Sequence, residues 1–126
     1  MKTVEMGASA IIVSNHIWSG HVFSVPSIIS LPKMVKAVGS RVTVLVDSGF
    51  RTGDDVFKAL ALGAKAVGFT TSVVSAACAG GARGVEQLVG FITAELKRTM
   101  ATCGRSDLSA IDSSALAVSP ELRQWW

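Results

Sequence analysis

Two short stretches carry the residues able to do chemistry. In the first, the apolar run Ala10–Val13 stops at Ser14-Asn15-His16, and a second histidine, His21, follows beyond Trp18. An imidazole titrates near neutrality and can take a proton from a bound substrate. A loop histidine can equally be structural, and position alone leaves both readings open. His16 and His21 lie five apart but have no third ligand in view, so no metal site is expected. In the second stretch, Asp47-Ser48-Gly49-Phe50-Arg51 closes another apolar run just before a helix pattern. Small residues let backbone N–H groups approach an anion, a helix N-terminus adds partial positive charge, and Arg51 can pair with phosphate. An ordinary tight turn with a surface arginine would look the same.

Both stretches need elements to hold them. Three apolar runs, Ala10–Val13, Val42–Val46 and Ala66–Phe69, read as strands. None alternates cleanly, as expected for parallel strands covered on both faces. Each leads into a helix pattern. In "SLPKMVKAVGS" Ser30 is placed to cap, Pro32 to sit in the first turn, and Gly39 to stop the helix. In "RTGDDVFKALALGAK" Thr52 caps, Asp54 and Asp55 occupy the first turn, and Gly63 ends it. In the third, Val85, Leu88, Val89, Ile92, Leu96 and Met100 share one helical face. A short helix is expected around Asp107–Ile111 before the chain frays. The order βαβαβα argues for a parallel α/β architecture with right-handed crossovers. The junctions at 14–29, 47–53 and 70–84 then share the carboxyl ends of the strands, the ligand side of such folds.

Composition narrows the partners. The 126 residues suffice for one core, and 49% are apolar before the 12 glycines are counted. Mean hydropathy is +0.47. The net charge of +3 is dispersed, without the basic cluster that tracks a nucleic-acid backbone. The uncharged run 66–82 holds glycine and hydroxyl residues and reads as buried protein, not as a membrane span. Cys78 and Cys103 have no metal or redox spacing and are expected to be buried reduced thiols in a cytoplasmic protein.

"GASAIIVSNH", "LPKMVKAVGSRVTVLVDSGFRTGDDVFKALALGAKAV" and "GVEQLVGFITAELKRTMATCGRSDL" together resemble the C-terminal part of the FMN-dependent 2-hydroxy acid dehydrogenase/oxidase family, which includes glycolate oxidase, lactate oxidase and lactate 2-monooxygenase. The resemblance runs over about residues 5–112. The Asp-Ser-Gly-x-Arg-Thr-Gly form is closest to the lactate monooxygenase-like branch. That motif would also suit other phosphate-binding barrels, such as the IMP dehydrogenase type, and Ser14-Asn15-His16 decides between them.

The resemblance implies a partial (β/α)8 TIM barrel, the last three βα units with parallel strands over residues 1–112, followed by a weakly structured tail over 113–126. It implies FMN as cofactor and a small 2-hydroxy acid of the lactate or glycolate type as substrate. His16 would be the catalytic base. Ser14 would lie near the flavin, and Asp47, Ser48, Gly49, Phe50 and Arg51 would hold the FMN phosphate. The family's substrate-clamping arginine is replaced by Ser19, behind the bulky Ile17 and Trp18. The family's Gly-Arg-Pro after the last strand is replaced by Thr70-Thr71-Ser72, so Thr70 and Thr71 can offer the phosphate hydroxyls but no positive charge. The family's lysine near flavin N1, its N-terminal tyrosines and its first five strands have no counterpart. Three strands cannot close an eight-stranded barrel of about 250 residues. The chain is therefore expected to be a truncated or degenerate member that needs the missing barrel half or self-association, and to be inactive alone. The alternative is a non-catalytic phosphate- or FMN-binding or interaction fragment.

Overall fold

The computed structural model describes residues 2–15 and 25–126. A short helix, α1 (Lys2–Glu5), precedes strand β1 (Ala10–Val13); then follow α2 (Ser27–Val38), β2 (Thr43–Val46), α3 (Gly53–Ala61), β3 (Ala66–Val67), the long α4 (Thr71–Thr102) and a C-terminal α5 (Pro120–Arg123). The three strands form one parallel sheet in the order β1-β2-β3. Ala10 lies opposite Thr43, Val13 opposite Val46, and Val46 opposite Val67. All three βα turns therefore leave from one end of the sheet, as the order of elements requires.

The two faces of the sheet differ. Val13, Val44 and Val46 point toward the helices and join Leu31, Val38, Phe50, Ala59 and Ala64 in the main core. On the opposite face Ala10, Thr43 and Ala66 are exposed, and Ile12 is 61% exposed. The expectation of strands buried on both faces holds on the helical side only. The alternation is real, but Ile12 and Leu45 hide it by being apolar where the face is bare. The second and third strands are also shorter than the apolar runs suggest, because pairing begins at Thr43 and ends at Val67.

α2 starts three residues before the expected cap. Pro26 is its N-cap, Ser27 is buried in its first turn, and Pro32 lies inside the helix rather than at its start. Ser30 therefore caps nothing: the hydroxyl that matters belongs to Ser27. Gly39 ends the helix as expected, with φ +59° and its N–H donating to the Val35 carbonyl. α3 follows its sequence signals closely. Thr52 and Asp55 form a reciprocal capping box, and Gly63 turns the chain with φ +100°.

α4 comprises two helical limbs joined at Gly80 and Gly81, whose backbone is non-helical, with Gly81 at φ +56°. The limbs fold together so closely that a Cβ on Gly84 would stand 2.2 Å from the Ala76 carbonyl oxygen. The second limb packs on α3. Ile92 and Met100 are buried and Leu96 is half-buried, but Val89 is 55% exposed, so the apolar face narrows toward its start. Met100 joins Phe57, Ala61 and Ile111 in a second small core. Beyond it a 3-10 turn at Leu108–Ala110 is capped by the Asp107 carboxylate, and a second at Ser113–Ala115 by Asp112. Cys78 and Cys103 are exposed free thiols, not buried ones. Cys78 sits on the sparsely covered first limb of α4, and Cys103 at the helix end.

Candidate functional site

The site grows from the carboxyl ends of β1 and β2. The Asp47 N–H donates to the Val13 carbonyl at 3.1 Å, so the strands stay paired up to the residues that leave the sheet. Next, Ser48 and Gly49 both take left-handed conformations, with φ of +73° and +89°. Ser27 props this turn from beneath: its hydroxyl reaches the Asp47 carbonyl at 2.5 Å and the Ser48 carbonyl at 3.2 Å. Gly68, one strand over, approaches so closely that an added Cβ would meet the Asp47 Cβ at 3.0 Å.

The backbone donors of the turn fall into two sets. Arg51 N–H and Thr52 N–H donate to the Asp55 carboxylate at 3.0 and 3.1 Å, and Gly53 N–H donates to Glu95 on α4 at 2.9 Å. The three amides that lead into α3, 51–53, are thus already occupied by carboxylates. By contrast, the N–H groups of Ser48, Gly49 and Phe50 enter no hydrogen bond of the described chain. Successive free amides in a turn can form an anion-binding concavity. The approach is open, since a Cβ at Gly49 would meet nothing within 4 Å. Arg51 is exposed and has no ion pair among the described residues. Sequence reasoning placed the anion at this turn and credited the helix end. The amides at the helix start, 51–53, are paired with carboxylates, and those without a partner among the described residues lie upstream, at 48–50.

Ser14 lies beside the same turn, its Oγ 3.3 Å from that of Ser48. The structure therefore brings together Ser14, Asp47, Ser48, Gly49, Phe50 and Arg51. Thr70 and Thr71 are exposed at the neighbouring strand exit; Thr70 is the N-cap of α4 but makes no side-chain cap bond. His16 and Ser19 lie outside the described residues, as does His21. Among the described residues no cluster of His, Cys, Asp or Glu could hold a metal ion, and no helix is long and apolar enough to cross a membrane. A cavity of about 670 Å³ opens between α2, α3, the end of α4 and the tail, lined by Phe57, Leu62, Leu116 and Trp126. It lies on the helical side and none of the strand-exit residues above lines it.

Two contributors, Ser27 and Glu95, are not singled out from sequence, and a third, Asp55, is assigned only part of its role there. Ser27 was hidden by the more obvious Ser30, although Pro26-Ser27 before an apolar run is itself a helix-start signal. Glu95 acts across 42 positions and has no local signature. Asp55 was read as favourable charge in the first turn, whereas it is also the acceptor that removes two amides from the site.

Parallel βα units with every turn at one end of a single sheet define a segment of an α/β barrel. The chain belongs to the FMN-dependent dehydrogenase family, whose model matches residues 1–118. It is 41% identical over 115 residues to an L-lactate oxidase of Nostoc sp., covering 91% of this chain and 32% of that protein. To a peroxisomal (S)-2-hydroxy-acid oxidase of Oryza sativa subsp. indica it is 40% identical over 113 residues, covering 90% and 31%. The solved structure of mandelate oxidase with 3,3-difluoro-2-hydroxy-3-phenylpropionic acid matches with a TM-score of 0.81 at 39% identity, over 89% of this chain and 34% of that one. A mandelate oxidase variant with a monooxide FMN adduct matches at 0.80 and 40% identity, over 87% and 35%. The chain thus spans about a third of the length of the relatives it matches, and its fold is the corresponding part of a (β/α)8 barrel.

Proposed function

We propose that this chain supplies the FMN-phosphate turn and the catalytic base of an enzyme that oxidises a small 2-hydroxy acid to the 2-oxo acid. The observation that carries this reading is the turn at 48–50: three successive N–H groups without partners among the described residues, two of them on left-handed residues, with Arg51 beside them. A dianionic phosphate group satisfies such donors, and Arg51 adds a charge-assisted pair. FMN would supply the two-electron acceptor. Ser14 and the turn would hold and orient it, and His16, next along the chain from Asn15, would take the proton released as the substrate is oxidised.

Two substitutions limit what the chain does by itself. Ser19 cannot clamp a carboxylate as an arginine does, and Thr70 and Thr71 offer hydroxyls without charge. The bare sheet face around Ile12 needs a cover, which the rest of a barrel or a second copy would provide. We infer that catalysis requires this completion and that the protein works in the cytoplasm, consistent with two cysteines left as free thiols.

Titration of the chain with FMN tests the reading. Quenched flavin fluorescence, weakened by Arg51→Ala, is the expected result; an unchanged spectrum at high micromolar FMN overturns it. With flavin bound, anaerobic lactate or glycolate should bleach the assembled protein and fail to do so in His16→Ala. Bleaching that survives that substitution removes His16 from the reaction.

A further inference from the structure

Ser48 stands out among the described residues as the non-glycine with a left-handed backbone. Glycine adopts this conformation freely and serine does not. The hydroxyl is what serine adds, and every valence of it is used. It donates to Asp47 Oδ1 at 3.0 Å and accepts from the Asn15 N–H at 3.1 Å. Its remaining lone pair faces Ser14 Oγ at 3.3 Å, and since its only proton goes to Asp47, Ser14 is the donor there. These partners come from two strands. Asn15 and Ser14 end β1, and Asp47 ends β2, more than 30 positions away in sequence.

We infer that Ser48 is a positioning residue: its hydroxyl ties the exit of β1 to the Asp47 carboxylate, and so fixes where the chain leaves the sheet immediately before His16. The left-handed backbone serves two ends at once. It leaves the amides of 48–50 free on one side and sends the Ser48 side chain back across the sheet to Asn15 on the other. The turn after β2 and the chain leaving β1 are thereby held in one register. The purpose assigned to this tie rests on the proposed function, but its existence is tested without flavin or substrate.

The test is amide hydrogen exchange, read by NMR on the full chain, for the parent and for Ser48→Ala and Ser48→Gly. Alanine keeps the Cβ and the unfavourable backbone; glycine relieves the backbone; both lack the hydroxyl. The inference expects Asn15 N–H exchange to rise about five- to tenfold in both variants. Lys65 and Gly68, whose N–H groups donate to the Val44 and Val46 carbonyls at 2.8 Å, should change less than about twofold. Parent-like protection in the glycine variant would mean that only turn geometry matters and would overturn the inference. So would an Asn15 amide that exchanges at the free-peptide rate in the parent, or one that neither substitution moves.

Discussion

The turn after β2 and the turn after β3 lie side by side at the same end of the sheet, yet they are built differently. The first is tied down on every side: Ser27 props its carbonyls, Thr52 and Asp55 close a capping box, and Glu95 reaches over from α4. The second enters α4 through Thr70, whose side chain makes no cap bond. The difference teaches that a binding turn and a helix start are separate constructions even when they adjoin. After β2 the amides of 51–53 are taken by Asp55 and Glu95, and the amides of 48–50 have no partner among the described residues. After β3 there is only a helix end with nearby hydroxyls, so an anion would be gripped from one side.

The largest blow to the first turn is expected from Gly53→Val. A Cβ there would meet Leu96 N at 2.2 Å and Glu95 Cβ at 2.6 Å, so α3 and α4 must part. Urea denaturation should show a loss of about 3 kcal/mol. Ser27→Ala removes the buried hydroxyl beneath Asp47 and Ser48 and should cost about 2 kcal/mol in the same measurement. Thr52→Ala breaks the capping box for about 1 kcal/mol. Thr70→Ala, at the matching position of the other turn, should fall within about 0.5 kcal/mol of the parent. Equal costs at Thr52 and Thr70 would erase the contrast.

The smallest effect lies outside both turns. The Ser114 hydroxyl and N–H, and then Arg105, hold Asp112 below the usual carboxylate range, and Ser109 and Ser106 do so for Asp107. Depressed folded-state values contribute stability above the ordinary aspartate range and lose it as the pH falls through the folded values. Both groups are exposed, so the melting temperature should decline only slightly through that acid window. Asp112→Asn should flatten the decline.

Much of this was legible in the sequence because the relevant signals are local. Thr52-x-x-Asp55, Gly39 and Gly63 each announce a helix end within a few residues. Continuous apolar runs located all three strands, and their order fixed a parallel sheet. What escaped depends on distance or on face. Glu95 and Ser27 act on turns far along the chain, and no spacing rule reaches them. Ile12 looks like core because it is apolar, although it is exposed on the face of the sheet away from the helices. The junction expected over 70–84 instead holds a first helical limb from Thr71, which the glycine elbow at 80–81 joins to the limb carrying Ile92 and Met100. For the site, the motif 47–51 marks a tight turn in the sequence, but which of its amides are paired and which are not depends on Asp55 and Glu95 folding back onto it.

That elbow governs the size of the molecule. A straight helix of 32 residues would extend about 48 Å, whereas one of 20 already equals the diameter of a small domain. Gly80 and Gly81 convert a projecting rod into two short arms. Replacing both with alanine should favour the rod, and the protein would then diffuse more slowly and sediment as a more elongated particle without having gained any mass.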